Sequence, residues 1–599
     1  MPSEAQDLRP AAAPLSKNRA YNLFLLLVAG LGGLLYGIDV GIIGSAYPYL
    51  EATSHLTPSE LSNIVAAVLL GSVFSTLFAG LLADWMGRKP LMLLSGFAFV
   101  LSIPIIALSA GFTPLFLGRL LQGMSGGFIG VVVPLYLAEC LAAKERGKGT
   151  AIFQWLLTLG IVVAALVGMY FSYRVDAATR TATADALFAL KDHAWRQIFW
   201  VSLPPGALFV LGSLLVSESP RWLFRRGKVE KARLALLRSR TAEQAALEVR
   251  EMEETSRKDS TEQTQGKNFH DPLLRRKYVV PFVLACVILF CNTATGINSI
   301  IGYNTGILLQ SGLSDLAAHW GYVLFTLVNF LMTMVGMALV DHKGRRFLLI
   351  VGTAGIVVSL LAAGVLFLQT EKLGVNRQSE MQAMVTPDQE LHLRFDAPLA
   401  EKLLAAETAS APPGSRTSLE IIYSYGGFTA TTNFARSDDA AAAPITITRG
   451  RCLPSNRIEA FFKNPFADLQ AAQTAPLHIE KALLGRIPDA AHGWRVAICL
   501  YLFMAFFALG PGVCVWLALS ELMPTRIRSN GMSIALVGNQ LVSTTLAAIF
   551  LPFVGKYGYS SIFFLFAGCT GFYFLVAAFF LPETKGKTLE EIEAHFAGR

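Results

Sequence analysis

A single carboxylate lies within an otherwise uncharged stretch of the chain. Residues 21–44 are aromatic, aliphatic or small, and Asp39 is their one charged member. Such a stretch is long enough to cross a bilayer as a helix, at about 1.5 Å per residue. A carboxylate inside that helix costs at least ~2.5 kcal/mol unless it meets a cation or a wet cavity. Asp39 lies nine residues before Pro48, which favours a buried acid with a function over an acid at the helix end.

The composition indicates where this acid sits. The chain has 599 residues, of which 53% are hydrophobic and 15% are charged, and its mean hydropathy is +0.49. Soluble proteins carry about 25% charged residues, so these values predict a polytopic helical membrane protein. The net charge of +8 is then expected to follow the positive-inside rule rather than to indicate nucleic acid.

Enzymatic chemistry is not indicated. The seven cysteines have neither metal-ligand spacing nor the pattern of a disulfide framework. We find no Ser/His/Asp set, phosphate loop or metal cluster. We therefore expect no enzyme, no cofactor and no metal.

Twelve apolar stretches have the length of membrane spans, and a charged stretch divides them six and six. They lie near 21–45, 60–83, 91–110, 114–140, 149–173, 197–216, 278–310, 318–340, 347–369, 494–522, 530–554 and 559–581. The charged stretch mixes acidic, basic and helix-forming residues, which predicts amphipathic helices beneath the bundle. Loops rich in Lys and Arg all fall on one side of this topology, which places that side and both termini in the cytoplasm.

The two sets of spans repeat each other. Asp84-x-x-Gly-Arg-Lys after span 2 corresponds to Asp341-x-x-Gly-Arg-Arg after span 8. Further pairs follow in register: Glu139 with Glu521, each seven residues before an arginine, and Glu218 with Glu583. Such symmetry is typical of transporters that rock two halves about a central site.

The repeat also locates an insertion. Asp84 and Glu139 are 55 positions apart, whereas Asp341 and Glu521 are 180 positions apart. The extra residues lie at about 371–492, on the extracytoplasmic side. Alternating patterns predict short strands there, and both a small β-containing cap and a disordered loop remain open. These strands are expected at Glu390–Phe395, Leu419–Tyr425 and Ile445–Thr448.

The domain boundaries follow from these observations. We predict an all-α membrane protein with twelve transmembrane helices in two pseudo-symmetric six-helix halves, cytoplasmic amphipathic helices and a large extracytoplasmic insert of β character. The segments are a cytoplasmic tail (1–20), an N-terminal half (21–216), a cytoplasmic linker (217–277), a C-terminal half (278–370 and 493–581), the insert (371–492) and a cytoplasmic tail (582–599).

Several motifs together resemble the sugar porters of the major facilitator superfamily, over nearly all the chain except the insert and the first twenty residues. They are Gly118-Arg119, Pro134-x-Tyr-x-Ala-Glu139 with Arg146-Gly147, Glu218-Ser-Pro-Arg-Trp-Leu, Gly296-Ile-Asn298, Gly510-Pro-Gly-x-x-x-Trp516 and Pro582-Glu-Thr-Lys-Gly-Lys. The resemblance implies the major facilitator fold. It also implies proton coupling, because Asp39 falls where proton-coupled members carry a titrating aspartate and Arg119 falls on its arginine partner.

The resemblance also implies a sugar site and a cytoplasmic gate. Neutral amides bind hydroxyls without a charge cost, and an aromatic ring covers the C–H face of a pyranose. The expected substrate-binding residues are Tyr36, Gln154, Asn292, Thr293, Asn298, Tyr303, Asn329, Gly512, Trp516 and Gln540. The expected gate residues are Asp84, Arg88, Glu139, Arg146, Glu218, Arg221, Asp341, Arg345, Glu521, Arg528 and Glu583.

Two departures from the family pattern put xylose or glucose specifically in doubt. Asn292-Thr293 replaces the usual Gln-Gln pair, and Gly302 replaces the first of two tyrosines, of which Tyr303 remains.

The leading hypothesis is a symporter that imports a hexose or pentose with a proton by alternating access. A sugar facilitator, or a nutrient sensor on a transporter scaffold, is the alternative. We expect a monomer in a bacterial inner membrane. Its expected partners are a small-molecule sugar, a proton and the lipid bilayer, and a periplasmic partner for the insert remains open.

Overall fold

The structure is a computed structural model of the whole chain. It describes residues 17–141, 146–179, 181–264, 275–405, 416–439, 444–523 and 528–585, together with Glu591 and Phe596.

Seven helices form the N-terminal half. They are α1 (Lys17–Thr53), α2 (Pro58–Met86), α3 (Arg88–Ala107), α4 (Phe112–Cys140), α5 (Arg146–Thr179), α6 (Ala184–Trp200) and α7 (Leu203–Leu215). The helices α5 and α6 extend beyond the apolar stretches that predict them. Glycines of α1 pack directly on the backbone of α5, where a Cβ atom at Gly37 would lie 1.9 Å from the carbonyl oxygen of Leu157.

The charged linker is helical, as its sequence predicts. It forms α8 (Pro220–Arg225), α9 (Val229–Leu237) and α10 (Ala242–Thr264). The apolar face of α9 is buried through Ala232 and Leu236, and a 2.6 Å ion pair joins Arg240, just before α10, to Glu248.

The C-terminal half contains α11 (Arg276–Ala294), α12 (Ile297–Gly302), α13 (Asn304–Gln310), α14 (Asp315–Lys343), α15 (Arg345–Glu371), α21 (Ala490–Leu509), α22 (Pro511–Leu522) and α23 (Arg528–Phe579). The stretch 278–310 is thus three helices rather than one. Its first break is at Gly296, whose φ of +82° is left-handed and favours glycine.

The family resemblance implies a break in the helix at Gly512, and the structure places that break two residues earlier. The helix breaks at Gly510, and the next helix restarts at Pro511. Proline lacks the backbone N–H that a continuing helix needs but is well suited to its first turn. Gly512 therefore lies inside the first turn of α22.

Eleven helices in the described part of the chain are long and apolar enough to cross a membrane. The longest candidate, within α23, contains Gly558 with a φ of +85°, so two helical segments meet there. The carboxylate of Glu371 accepts a 3.0 Å hydrogen bond from the backbone N–H of Ser560 and so caps the second segment.

Between α15 and α21 lies a small domain with its own core, here named the β domain (Val375–Arg486). Its strands are β1 (Val375–Asn376), β2 (Leu391–Leu393), β3 (Thr417–Tyr425), β4 (Phe428–Thr431), β5 (Ala435–Arg436), β6 (Ile445–Ile447) and β7 (Leu477–Arg486). Its helices are α16 (Gln378–Ala383), α17 (Ala397–Ala405), α18 (Arg449–Cys452), α19 (Arg457–Lys463) and α20 (Leu469–Thr474).

The β domain is antiparallel throughout its described strands. One sheet has the order β1-β7-β3-β4 with β5 also on β3, and a second pairs β2 with β6. The three strands expected from alternating patterns are confirmed as β2, β3 and β6. The longest strand, β7, was not predicted, because its charged and small residues obscure the alternation.

One buried carboxylate links the β domain to the helices. Glu420 of β3 is 5% exposed, and its Oε1 has no hydrogen-bond partner. A Cβ atom at Gly555 of α23 would lie 2.6 Å from that oxygen. Burial raises the pKa of Glu420 well above its ordinary value of 4.5; the carboxylates of Glu371 and Glu51 add to this increase and Lys481 opposes it.

This pKa shift predicts a pH dependence of stability. A carboxyl whose pKa is raised by folding stabilises the native state fully below its unfolded pKa, and the contribution is lost as the pH rises towards the raised value. We expect the melting temperature of the wild-type protein to fall as the pH rises above the ordinary value of 4.5. This group contributes up to ~1.4 kcal/mol of lost stability per pH unit. Glu420→Gln, which cannot ionise, should flatten that decline.

Thermal unfolding in detergent at several pH values measures this effect. The matched control is Glu480→Gln, which changes an exposed acid on the neighbouring strand β7. Parallel pH profiles for Glu420→Gln and the wild type would contradict the prediction.

Candidate functional site

Asp39 and Arg119 meet inside the N-terminal half. Asp39 lies in α1 and Arg119 in α4, and each side chain is 1% exposed. Nη1 of Arg119 is 3.7 Å from Oδ1 of Asp39, and it donates a 2.7 Å hydrogen bond to Oε1 of Gln122. Neither carboxylate oxygen of Asp39 has a hydrogen-bond partner. The two groups are therefore an electrostatic pair without a hydrogen bond between them.

This arrangement is costly while the carboxylate is charged. A buried ion pair offsets its desolvation only when the geometry is close and the remaining polar atoms are satisfied. Here the guanidinium has a neutral amide partner in Gln122, whereas the carboxylate has none. Protonation of Asp39 would remove a carboxylate charge that has no hydrogen-bond donor, and would leave the hydrogen bond of Arg119 to Gln122 intact.

Glycine makes room for the carboxylate. A Cβ atom at Gly126 of α4 would lie 2.9 Å from Oδ2 of Asp39 and 3.3 Å from the ring of Tyr36. One turn further on, a Cβ atom at Gly130 would meet that ring at 3.7 Å, an ordinary contact distance. Tyr36 is half-buried and lies beside the acid, between α1 and α4.

A second cluster of polar side chains surrounds the break in the helix at Gly296. The amide of Asn298 donates a 2.6 Å hydrogen bond to the hydroxyl of Ser543 in α23. Thr293 donates a 3.2 Å hydrogen bond to Oδ1 of Asn539. Oδ1 of Asn292 is buried without a partner. Four of the predicted residues, Asn292, Thr293, Asn298 and Gln540, thus lie on adjoining stretches of α11, α12 and α23.

Two predicted amides lie across the boundary between the halves. Gln154 lies in α5 and Asn329 lies in α14. The residues that follow them, Trp155 and Phe330, pack these two helices together, with ring centroids 5.6 Å apart. Gln154 is half-buried and Asn329 is 9% exposed.

Tyr303 lies among the contacts between the halves. Its hydroxyl donates to the carbonyl of Ala547 at 3.1 Å and to the hydroxyl of Ser62 at 3.3 Å. Its ring stacks on Phe550 at 4.4 Å between centroids. The side chain is 1% exposed, so in this structure Tyr303 contributes to the packing between the two halves.

Hydrogen bonds close the bundle at the end where the β domain sits, here named the β-domain end. Backbone carbonyls of α1 accept from side chains of the C-terminal half: Gly41 from Tyr322 at 2.8 Å, and Gly44 from Thr305. A Cβ atom at Gly44 would lie 2.6 Å from the carbonyl oxygen of Ile301, so only glycine permits this approach.

Asp315 adds a side-chain contact to this closure. It begins α14 in the C-terminal half, and its Oδ2 accepts hydrogen bonds from Tyr49 at 2.8 Å and from Ser172 at 2.6 Å. Both donors belong to the N-terminal half, so the two halves are joined through one carboxylate.

The opposite end, here named the basic end, carries two matching charge clusters. In the N-terminal half Arg88 pairs with Glu139 at 2.8 Å and with Asp84 at 3.0 Å, and Glu218 accepts the backbone N–H of Arg88 at 3.0 Å. In the C-terminal half Arg345 pairs with Glu521 at 3.1 Å, and Glu583 accepts the backbone N–H of Arg345 at 3.1 Å. The repeat seen in the sequence is therefore repeated in contacts.

Among the described residues, the ion pairs at the basic end stay within one half. Arg225 of α8 also pairs with Glu139, at 3.0 Å, whereas Arg221 is exposed. Four predicted site side chains lie outside the part of the chain whose side chains the structure describes: Arg146, Asp341, Trp516 and Arg528.

Sequence reasoning missed three polar residues that touch predicted ones. They are Gln122, Asn539 and Ser543. A signal was present for two of them: Gln122 lies three residues after Arg119, and Asn539 immediately precedes Gln540. Ser543 follows Gln540 by three residues, one helical turn later.

Comparison with known proteins agrees with the apolar helices and the repeated charge clusters described above. The chain is an integral, multi-pass membrane protein, and the family model for sugar (and other) transporters matches residues 25–385 and 482–596. The internal stretch that the family model leaves unmatched, between residues 385 and 482, falls inside the β domain. The chain belongs to this family of transporters, whose members are not enzymes.

Relatives match along most of the chain. The human proton myo-inositol cotransporter is 26% identical over 602 residues, covering 99% of this chain and 85% of the relative. The glucose transporter of Staphylococcus epidermidis is 25% identical over 577 residues, covering 96% and 97%. The xylose transporter of E. coli in a partially occluded inward-open conformation has the same fold, with a TM-score of 0.63, 19% identity, and coverage of 95% of this chain and 100% of the other.

The space around Asp39 generates a prediction. Gly126→Ala would press a methyl group against the carboxylate, and overpacking of this kind typically costs 1–3 kcal/mol. We expect the initial rate of solute uptake to fall about tenfold, the equivalent of ~1.4 kcal/mol. Gly130→Ala, on the same helix, should stay within about twofold of the wild type, since its methyl would make an ordinary contact. Uptake by proteoliposomes, with melting temperatures to check folding, measures both, and wild-type uptake by Gly126→Ala would contradict the prediction.

Proposed function

We propose that this protein is a secondary active transporter that imports a sugar together with a proton by alternating access. The observation that carries the proposal is the buried pair of Asp39 and Arg119, in which the carboxylate has no hydrogen-bond donor. Membership of the family of sugar (and other) transporters supports transport of a sugar-class solute. The pair of Asp39 and Arg119 supports coupling to protons.

The proton step follows from the electrostatics of the pair. A charged Asp39 is held only by the guanidinium 3.7 Å away, so the cost of its desolvation is poorly offset. When the carboxyl takes up a proton, that cost disappears. Arg119 keeps its hydrogen bond to Gln122, so the arginine is not left without a partner.

The position of Asp39 connects this step to movement. It lies two residues before Gly41 and five before Gly44, whose carbonyls join the halves. Five helical residues span about 7.5 Å. A change of charge at Asp39 therefore acts on the same stretch of α1 that closes the β-domain end, and a proton can bias which end opens.

The solute site is proposed between the halves. Gln154 and Asn329 lie where α5 meets α14, and Asn292, Asn298 and Gln540 lie around the break at Gly296. Uncharged amides suit a neutral polyhydroxy compound. Trp516 is proposed to stack on the sugar ring. The names of the human and staphylococcal relatives favour a hexose or a cyclic polyol over a pentose.

The proposed topology has twelve spans, with α23 divided at Gly558 into spans 11 and 12. The basic end carries Arg88 and Arg345, which supports placing that end and both termini in the cytoplasm. The β domain is then extracytoplasmic. With the β-domain end closed, the described arrangement is then a state closed towards the extracytoplasmic side. We propose a monomer, since each chain contains both halves of the transport path.

Asp39→Asn tests the proposal directly. The amide keeps the shape of the side chain but cannot titrate, so we expect accumulation driven by an inward proton gradient to be lost while counterflow exchange persists. The measurement is uptake of labelled hexoses, pentoses and polyols by proteoliposomes, with and without the gradient. Glu230→Gln, an exposed acid-to-amide change on α9, is the control and should behave as the wild type.

Three outcomes would count against the proposal. Full gradient-driven accumulation by Asp39→Asn would remove the proton role from this residue, and accumulation that ignores the gradient in the wild type would indicate a facilitator. If the wild-type protein shows no counterflow for any hexose, pentose or polyol in the panel, the transported solute is not a sugar or polyol.

A further inference from the structure

The β domain is attached to the C-terminal half at both of its ends. Its first strand follows α15 by three residues and its last precedes α21 by three. Noncovalent contacts add to this attachment. Arg436 donates a 2.9 Å hydrogen bond to the carbonyl of Leu309 in α13, and the rings of Phe434 and Tyr559 lie 5.9 Å apart. The domain therefore moves with the C-terminal half.

The segment of the β domain that makes these contacts, residues 433–439, also binds the N-terminal half. The amide of Asn433 donates a 3.0 Å hydrogen bond to the carbonyl of Leu56, in the loop between α1 and α2. Asp439 accepts two hydrogen bonds of 2.9 Å from Nζ of Lys191, in α6. Arg451 donates to the carbonyl of His55 at 3.2 Å.

These contacts cover the junction of the two halves. A cavity of about 150 Å³ lies beneath the segment, and its walls come from the ends of α1 and α13 as well as from the β domain. Tyr47 and Glu51 contribute from α1, Leu309 and Gln310 from α13, and Asn433 from the β domain. The segment thus lies over the seam that must part when this end of the bundle opens.

We propose that Asn433 and Asp439 are gating residues of the transport cycle: together with Lys191 and the carbonyl of Leu56 they form a latch that holds the β-domain end closed. The name latch refers to these four residues. The inference rests on the proposed alternating-access function. Since the domain is fixed to one half, every opening of this end must break the latch, and every closure restores it.

The chemistry of the latch suits repeated opening. The side chain of Lys191 is 12% exposed and that of Asp439 is 29% exposed, so water reaches the pair. Partly exposed pairs contribute ~0.2–1 kcal/mol. Loss of such a pair shifts a two-state population by about 1.4- to 5-fold, which biases the cycle without locking it.

Charge reversal tests the latch. Lys191→Glu and Asp439→Lys each place like charges opposite each other, and the double variant restores an opposite pair with the signs exchanged. We expect each single variant to raise the population with an open β-domain end about threefold or more, and the double variant to return it to near the wild-type value. Asp192→Asn is the matched control. Asp192 pairs with Arg196 at 2.9 Å, and both residues lie in α6, the helix that contains Lys191.

The measurement is a distance distribution between spin labels at Ser59→Cys and Ala491→Cys, in the full chain with its native cysteines replaced. Both positions are exposed, one in each half at this end. Unchanged distributions in both single variants would overturn the proposal. So would a double variant that opens further than either single one, because that result indicates general damage rather than a restored pair.

The readout needs no solute. If the transported compound or its proton coupling differs from the proposed function, the distances still report the latch. If the distances fail to shift while Asp39→Asn loses gradient-driven accumulation, the latch is wrong and the proposed function stands. In active protein, the single variants should also change the maximal rate of uptake more than the concentration of half-saturation, since they act on opening rather than on solute contacts.

Discussion

Burying charge in a low-dielectric interior is the constraint on which the rest of this structure depends. A charged side chain within a membrane span is tolerated only with a partner or access to water. Arg88 satisfies this rule with Glu139 and Asp84, and Arg345 with Glu521. Asp39 satisfies it incompletely, because its cation is near but donates no hydrogen bond to it. Within the transmembrane bundle the chain therefore keeps Asp39 in a condition that protonation relieves, while Arg88 and Arg345 at the basic end are paired.

The two charge clusters at the basic end make each half a stable body. Glu218 binds the backbone at the start of α3, and Glu583 does the same at the start of α15. Both act where a glycine with positive φ precedes the helix, at Gly87 and Gly344. Since the described ion pairs there stay within their own half, a rigid-body rotation can leave them unbroken. The contacts that rotation must change lie at the other end, where the N-terminal half meets the C-terminal half and its β domain.

Much of this architecture could be predicted from the sequence, because hydropathy, charge and an internal repeat are local signals. The repeat located the β domain from the spacing between Asp341 and Glu521, before any of its strands was considered. The pairing of Asp39 with Arg119 came from a family resemblance, and the structure places the two side chains together. What the resemblance did not supply is Gln122, whose amide holds the arginine and leaves the acid without a donor.

Other features depend on tertiary packing and could not be predicted. Tyr303 matches a family position, yet the closure of this end buries it between Ser62 and Phe550. Strand β7 becomes a strand because β3 and β1 pair with it, which overrides its weak alternation.

The pairing of β1 with β7 has an evolutionary consequence. Val375 lies opposite Leu484, so the two ends of the β domain emerge side by side. An insertion whose ends adjoin replaces a short loop without forcing the flanking helices apart, and such sites accept whole modules most readily. A lineage could thus gain or discard this module in a single recombination event, and the helical scaffold would keep its packing either way.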